Sequence, residues 1–135
     1  LLERAARGGF VTAQLTLART LENGELGQKK DLRLAHRWYE VAAESGSVQA
    51  MTAMGTAHYL GRGTARSGPE ALRWFRAAAL QGDVGAQYLV ASMYEQGDGV
   101  ERDLRQARYW YAAAARAGDP AAPSKLKELD AQESR

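Results

Sequence analysis

Apolar and polar residues alternate along this chain with the period of an α-helix. Within residues 35–42, apolar side chains stand at positions i, i+3, i+4 and i+7, and residues 71–78 and 107–114 repeat that spacing. Residues spaced in this way share one face of an amphipathic helix. Apolar stretches of the same period also occupy residues 50–57 and 86–93. The pattern therefore predicts units of two helices, which we call helix A and helix B in chain order.

The two-helix unit recurs at a fixed interval. Trp38, Trp74 and Trp110 stand 36 residues apart, and each is followed by an aromatic residue, a pair of alanines and a glycine. A period of this size indicates a repeat array rather than one globular core, and the stacked surface of such an array usually binds a partner. The predicted units are residues 10–46, 47–82 and 83–118, preceded by the tail of an earlier helix B at 1–9 and followed by a capping helix and tail at 119–135.

Residues that favour helix ends separate the predicted helices. A glycine follows each helix B, where the backbone needs a left-handed conformation that glycine adopts without steric cost. Serine or aspartate precedes every helix B and the helices A that follow the first unit, where its side-chain oxygen can accept a hydrogen bond from the backbone of the first turn. The predicted N-cap residues are Asp31, Ser67 and Asp103 before helix B, and Ser47, Asp83 and Asp119 before helix A, with Pro120 at the first helical position of the last one.

Composition and charge narrow the function classes. The 135 residues are 45% hydrophobic and 25% charged, an ordinary globular composition, and no apolar run approaches the length of a membrane span. The sequence has no cysteine, so neither a disulfide nor a thiolate metal site is expected. A net charge of +2 does not favour a nucleic-acid partner. These residues show no signal peptide, and cytoplasmic and periplasmic locations both stay open.

The third unit carries the most complete motif. It reads Ala86-(x3)-Val90-Ala91-x-x-Tyr94-x-x-Gly97-Asp98-Gly99, then Asp103-(x3)-Ala107-x-x-Trp110-Tyr111-x-x-Ala114-Ala115-x-x-Gly118. This pattern resembles the Sel1-like repeat, a relative of the tetratricopeptide repeat. The resemblance implies an all-α, right-handed solenoid of antiparallel helix pairs. It also implies that the protein is an adaptor that holds other proteins together. The first unit departs from the motif, with Gly24 and Gly27 instead of the G-x-G turn, and His58 stands where the motif has tyrosine.

The resemblance also implies where a partner binds. In tetratricopeptide-like repeats, the concave groove is lined by helix A residues three before, one after and four after a small residue, which here is Ala18, Gly55 or Ala91. The corresponding groove positions are Leu15, Arg19, Glu22, Thr52, Thr56, Tyr59, Tyr88, Ser92 and Glu95. Tyr59 and Tyr88 are candidate aromatic anchors for a bound peptide, and packing on neighbouring helices is an equal alternative for both.

Other conspicuous side chains are predicted to have structural roles. The three tryptophans lie on the apolar stripe of helix B, so we expect them in the core. His58 is expected in the tyrosine position of the core, and His36 on the surface of helix B. Because neither histidine has further metal ligands near it in the sequence, no metal site and no cofactor are predicted. Arg19 and Glu22 are expected to form a solvated pair.

Two alternatives to a protein-binding adaptor stay open. A nucleic-acid-binding solenoid would use arginines that recur along helix B, although these fall on its expected outer face among acidic residues. They are Arg33, Arg37, Arg73, Arg76, Arg105 and Arg108. A penicillin-recognising hydrolase would use Ser124 and Lys127 as an S-x-x-K motif, but its two supporting motifs are missing. The sequence therefore favours a non-enzymatic protein–protein interaction scaffold, without specifying its partner or oligomeric state.

Overall fold

The computed structural model describes residues 2–7 and 9–133, and their secondary structure is entirely α-helical. The helices are α1 (Leu2–Arg7), α2 (Val11–Asn23), α3 (Leu32–Glu44), α4 (Val48–Leu60), α5 (Gly68–Leu80), α6 (Val84–Gln96), α7 (Leu104–Arg116) and α8 (Ala122–Glu133). Helices α2, α4 and α6 correspond to helix A, and α3, α5 and α7 to helix B. This confirms the predicted all-α fold of paired helices.

The protein forms two compact units, which we call the N-terminal unit, residues 1–74, and the C-terminal unit, residues 75–135. The border lies within α5. In the N-terminal unit, α1 packs on α2, α2 on α3, and α3 on α4. In the C-terminal unit, α6 packs on α7 and α7 on α8. Because consecutive helices are joined by short connections and pack together, each pair is antiparallel.

Alanine brings the helices close, while larger side chains fill the space beside it. Ala35 and Ala107, equivalent in α3 and α7, are almost fully buried. In the N-terminal unit, Leu17 and Leu21 pack into the same buried cluster as Ala35. In the C-terminal unit, Leu129 of α8 is fully buried and completes the core. Helix α8 therefore packs on α7 as a further helix A.

The helix ends follow the predicted capping pattern. The Ser47 hydroxyl accepts from the Ala50 backbone N–H at 3.1 Å, and an Asp83 carboxylate oxygen accepts from the Ala86 N–H at 2.8 Å. Asp31, Ser67 and Asp103 accept in the same way before α3, α5 and α7. The glycines that follow helix B, Gly46, Gly82 and Gly118, have φ angles of 100°, 94° and 99°, the left-handed region predicted for them.

The start of α8 differs from the prediction. The helix begins at Ala122, not at Pro120. The Asp119 carboxylate accepts from the Ala121 and Ala122 N–H groups at 3.1 and 2.8 Å, which bends the backbone before the helix starts. Pro123 then lies in the first turn, where a missing N–H costs nothing because that group has no helical partner.

The tryptophans differ in burial, so the expectation of three core residues is only partly right. Trp74 and Trp110 are 7% and 4% exposed. Trp38 packs against the cluster of Leu17 and Leu21 but is only partly buried.

Candidate binding cleft

A cleft of about 230 Å³ lies between helices α2, α3 and α4 of the N-terminal unit. Five of the groove positions implied by the repeat motif line it: Leu15, Arg19, Glu22, Thr52 and Thr56. They come together because residues three and four apart on α2 and α4 share a helix face. The wall contributed by α3 contains Ala35, His36 and Tyr39, which were not predicted to line a binding surface.

Glu22 is the most strongly engaged polar side chain of the cleft. Its Oε1 accepts a hydrogen bond from the Tyr39 hydroxyl at 3.1 Å, and its Oε2 lies 3.5 Å from an Arg62 guanidinium nitrogen. Burial, and next the Glu22 carboxylate, raise the pKa of the Tyr39 phenol to about 12. The phenol therefore stays protonated near neutral pH and remains a hydrogen-bond donor.

Arg62 comes from the turn after α4, and the backbone of that turn is tightly constrained. Gly61 ends α4 in a left-handed conformation, and Gly63 follows with a φ of 76°. A Cβ atom at Gly63 would overlap the carbonyl oxygen of Leu32, so only glycine fits there without a shift of the turn. This close contact with the start of α3 fixes the turn from which Arg62 points to Glu22.

The cleft has one more cationic than anionic side chain. Arg19 and Arg62 carry positive charges, and Glu22 carries the negative one. The expected pair between Arg19 and Glu22 does not form, because Glu22 binds Tyr39 and Arg62 instead. Within the part of the protein that the structure describes, the Arg19 guanidinium is in no ion pair. Neutral hydrogen-bonding groups of Gln49, Thr52 and Thr56 complete the polar lining.

The two histidines meet beside the cleft. Their ring centroids are 5.2 Å apart in an edge-to-face arrangement, and each Nδ1 is buried without a hydrogen-bond partner. Burial lowers the pKa of His36, His58 lowers it further, and the Glu40 carboxylate opposes this change. The expectation that His36 lies on the surface of helix B is wrong, because its ring is half-buried and contacts His58 of α4.

In the C-terminal unit, two of the predicted groove residues, Glu95 and Tyr88, contact the side chain of Tyr111. The Tyr111 hydroxyl donates to Glu95 Oε1 at 2.6 Å. The Tyr88 and Tyr111 rings meet edge to face at 5.3 Å. Burial, followed by the bond to Glu95, raises the pKa of Tyr111 well above its ordinary value. Lys125 of α8 lies 3.9 Å from Glu95 and 3.6 Å from Glu128.

The tyrosine–glutamate bond could have been found in the sequence. Units with tyrosine after the tryptophan have glutamate at the groove position four residues after the small residue, as in Tyr39 with Glu22 and Tyr111 with Glu95. The second unit has phenylalanine and Tyr59 at these two positions instead. Acceptor and donor are therefore present or absent together. Tyr59 is half-buried, with the Arg66 guanidinium 5.7 Å from its ring centroid.

Three further features of the structure concern metal binding, membrane insertion and the S-x-x-K motif. No group of three or more His, Cys, Asp or Glu side chains that could hold a metal ion occurs among residues 2–7 and 9–133. None of the helices described for this protein is long and apolar enough to cross a bilayer. Ser124 and Lys127 are both exposed on α8, outside the residues that line the cleft.

Comparison with known proteins identifies the repeat. The Sel1 repeat model matches residues 11–47, 48–83 and 84–119. These matches span most of the sequence, so the chain belongs to the Sel1 repeat family, whose members are generally protein-interaction scaffolds. No curated protein matches the sequence significantly.

Solved structures show the same helical-repeat fold. A Sel1 repeat protein from Oxalobacter formigenes is 35% identical, with a TM-score of 0.84 over 94% of this chain and 95% of that one. A protective antigen of uropathogenic Escherichia coli with an SLR fold is also 35% identical, with a TM-score of 0.89 over 98% of this chain but 28% of its own. Cysteine rich protein B of Helicobacter pylori, 20% identical with a TM-score of 0.70 over 93% of this chain and 94% of that one, shares the fold. The fold class is therefore the all-α solenoid.

Proposed function

We propose that this protein is a non-enzymatic interaction module that binds a peptide segment of a partner protein through the helix A residues implied by the repeat motif. In the N-terminal unit these residues are Arg19, Glu22, Thr52, Thr56 and Tyr59, and in the C-terminal unit Tyr88, Ser92 and Glu95. The main support is the cleft of the N-terminal unit, because four of its lining residues belong to this set.

The size and lining of the cleft suit a side chain of a partner protein. Its volume of about 230 Å³ is below the roughly 300–1,000 Å³ of typical small-molecule sites. It equals the liquid volume of roughly seven or eight water molecules. The apolar part of its lining includes Leu15, Leu32 and Ala53, and the polar part includes Gln49 and Thr52. Such a site holds one amphipathic side chain, while exposed residues beside it contact the peptide backbone.

The arginines of helix B argue against the nucleic-acid alternative. Arg73 binds Glu70 at 3.1 Å and lies over the Trp74 ring, Arg76 donates to the Tyr94 hydroxyl, and Arg108 pairs with an Asp130 carboxylate. These guanidinium groups are already engaged within the protein. The predicted groove also contains two carboxylates, which repel phosphates. The hydrolase alternative has no support either, because its serine and lysine lie on an exposed helix surface.

Selection from a phage-displayed library of random dodecapeptides tests the proposed function. Enriched peptides are synthesised with a fluorophore, and their affinities for the native protein are measured by fluorescence anisotropy. Thr52→Arg fills the cleft with a long side chain and is expected to weaken binding at least tenfold. Thr12→Arg adds the same side chain to an exposed position of α2 outside the cleft and is expected to leave binding unchanged. Equal affinities of both variants, or no enrichment at all, would contradict the proposal.

A further inference from the structure

The excess positive charge of the N-terminal cleft has an identifiable source. Glu22 already accepts from Tyr39 and pairs with Arg62. Arg19 lies on the same wall and, among the residues described, has no carboxylate partner. Because the lowered pKa of His36 keeps that ring neutral near pH 7, His36 adds no charge to the lining of the cleft. The cleft therefore offers one unneutralised guanidinium group.

We propose that this cleft selects an aspartate or glutamate side chain of the partner peptide, which Arg19 binds through its guanidinium group. This inference rests on the proposed function and specifies the chemistry of the partner. The planar guanidinium group offers two parallel N–H donors that match the two oxygens of a carboxylate. Gln49, from the facing helix α4, supplies an amide N–H donor at the same opening, while the Thr52 hydroxyl donates to the Gln49 backbone carbonyl at 2.8 Å.

The charge balance favours a carboxylate over a phosphate. One carboxylate neutralises the single excess charge. A phosphorylated residue bears about −1.5 to −2 charges and would face repulsion from the carboxylate of Glu22. The volume agrees with this choice, because a glutamate side chain has five non-hydrogen atoms and the cleft holds roughly seven or eight water molecules. One acidic side chain with a water molecule or two fills it.

The C-terminal unit does not offer the same site. Ser92 stands at the position of Arg19, and the cation nearest to Glu95 is Lys125. Lys125 lies near both Glu95 and Glu128, so its charge is already balanced by two carboxylates. Selection of an acidic side chain is therefore a property of the N-terminal unit.

The test uses small capped amino acids and the full 135-residue protein. Amide and arginine Nε signals are followed by NMR during titration with N-acetyl-L-glutamate N-methylamide and with the neutral glutamine analogue. For the glutamate probe we expect saturable shifts of Arg19, Gln49 and Thr52 signals, with a Kd of about 1–10 mM, as for a fragment of this size. The glutamine probe is expected to bind at least threefold more weakly.

Three variants are expected to weaken, strengthen or leave unchanged the binding of the glutamate probe. Arg19→Thr introduces the residue that the second repeat has at this position and is expected to remove the preference for glutamate. Glu22→Gln removes the competing carboxylate and is expected to tighten glutamate binding about twofold to threefold. Arg33→Gln removes one exposed positive charge from α3, outside the cleft, and is expected to change nothing. Thermal unfolding followed by circular dichroism confirms that each variant is folded.

The possible outcomes separate this inference from the proposed function. Equal binding of both probes, or a glutamate preference that survives Arg19→Thr, overturns acidic selection. Tighter binding of N-acetyl-O-phosphoserine N-methylamide overturns it in favour of a phosphopeptide, and tighter binding of N-acetylglycine in favour of a free carboxyl terminus. If library-selected peptides still bind in the cleft, as shown by their loss with Thr52→Arg, the proposed function stands without the acidic preference.

Discussion

The two units contain the same tyrosine–glutamate hydrogen bond in different surroundings. In the N-terminal unit, Leu15 and the small Ala53 border an open cleft beside Glu22. In the C-terminal unit, the equivalent positions carry Tyr88, which packs on Tyr111, and Lys125, which pairs with Glu95. The packing of helix A on helix B preserves the tyrosine–glutamate hydrogen bond in both units. The residues beside that bond, which differ between the units, determine whether space for a partner remains.

Burial of the tryptophans should give the largest difference between the units. Trp110→Ala removes an indole that is 4% exposed and is expected to lower the free energy of unfolding by about 3–5 kcal/mol. Trp38→Ala removes a partly buried indole and is expected to cost roughly half as much. Urea denaturation measures both values. Equal losses would mean that the units do not differ in how well they cover this residue.

The shared hydrogen bond should be stronger in the C-terminal unit. Tyr111→Phe breaks a 2.6 Å bond from a fully buried ring and is expected to cost about 1.5–3 kcal/mol. Tyr39→Phe breaks a 3.1 Å bond to Glu22, but the Glu22 carboxylate still pairs with Arg62. We therefore expect a smaller loss in the free energy of unfolding, about 0.5–1.5 kcal/mol. Tyr109→Phe, at a ring that is 59% exposed, serves as the control and should change stability by less than about 0.5 kcal/mol.

Exchanging the variable residues should transfer the difference in binding. Leu15→Tyr combined with Ala53→Lys places the residues of the C-terminal unit around the N-terminal cleft. We expect at least tenfold weaker binding of library-selected peptides, about 1.4 kcal/mol, measured by fluorescence anisotropy. Thr12→Arg, at an exposed position of α2 outside the cleft, is the control and should leave this binding unchanged. Undiminished affinity of the first double variant would show that the open space is not what the peptide uses.

A dependence of stability on pH should give the smallest difference, and only in the N-terminal unit, since both histidines of the sequence lie there. The folded state lowers the pKa of His36, so the unfolded state binds more protons just below pH 6.5. Stability is thus full above that pH and falls as the pH decreases through it. We expect a Tm lower by roughly 1–3 °C at pH 5.5 than at pH 7.5.

The repeat itself supplies the control for this measurement. His36→Leu introduces the residue that the second repeat has at this position, Leu72, and should remove most of the dependence between pH 5.5 and 7.5. Both proteins share the same carboxylates, so their titration at lower pH cancels in the comparison. A decrease of Tm that persists in the variant would assign the effect to other groups.

The helical fold was predictable because it depends on local, repeated information. Alanine at the crossing points, glycine after helix B and an N-cap such as Asp83 each act within a few residues of their own position. The start of α8 differs from the prediction, because the Asp119 carboxylate accepts from the Ala121 and Ala122 N–H groups and the helix begins only at Ala122.

The cleft was predictable only on the sides formed by helix A. The period of the repeat identifies Arg19 and Glu22 as neighbours on one face of α2, and Thr52 and Thr56 as neighbours on one face of α4, because helix geometry fixes these relations. It does not show where the Arg62 side chain turns after a loop, or that His36 reaches the neighbouring helix. Those contacts depend on how closely two helices approach, and the distance between helices is a property of the packed structure.

The contact between Gly63 and Leu32 has a consequence for how this module can change. A methyl group at position 63 would displace the turn and with it Arg62, so the carboxylate of Glu22 would lose its cation. The electrostatic balance at the opening thus depends on the absence of a side chain at a position that lines none of it. Evolutionary selection for a particular ligand would then preserve glycine at position 63. A comparison restricted to the residues that line the cleft would overlook that position.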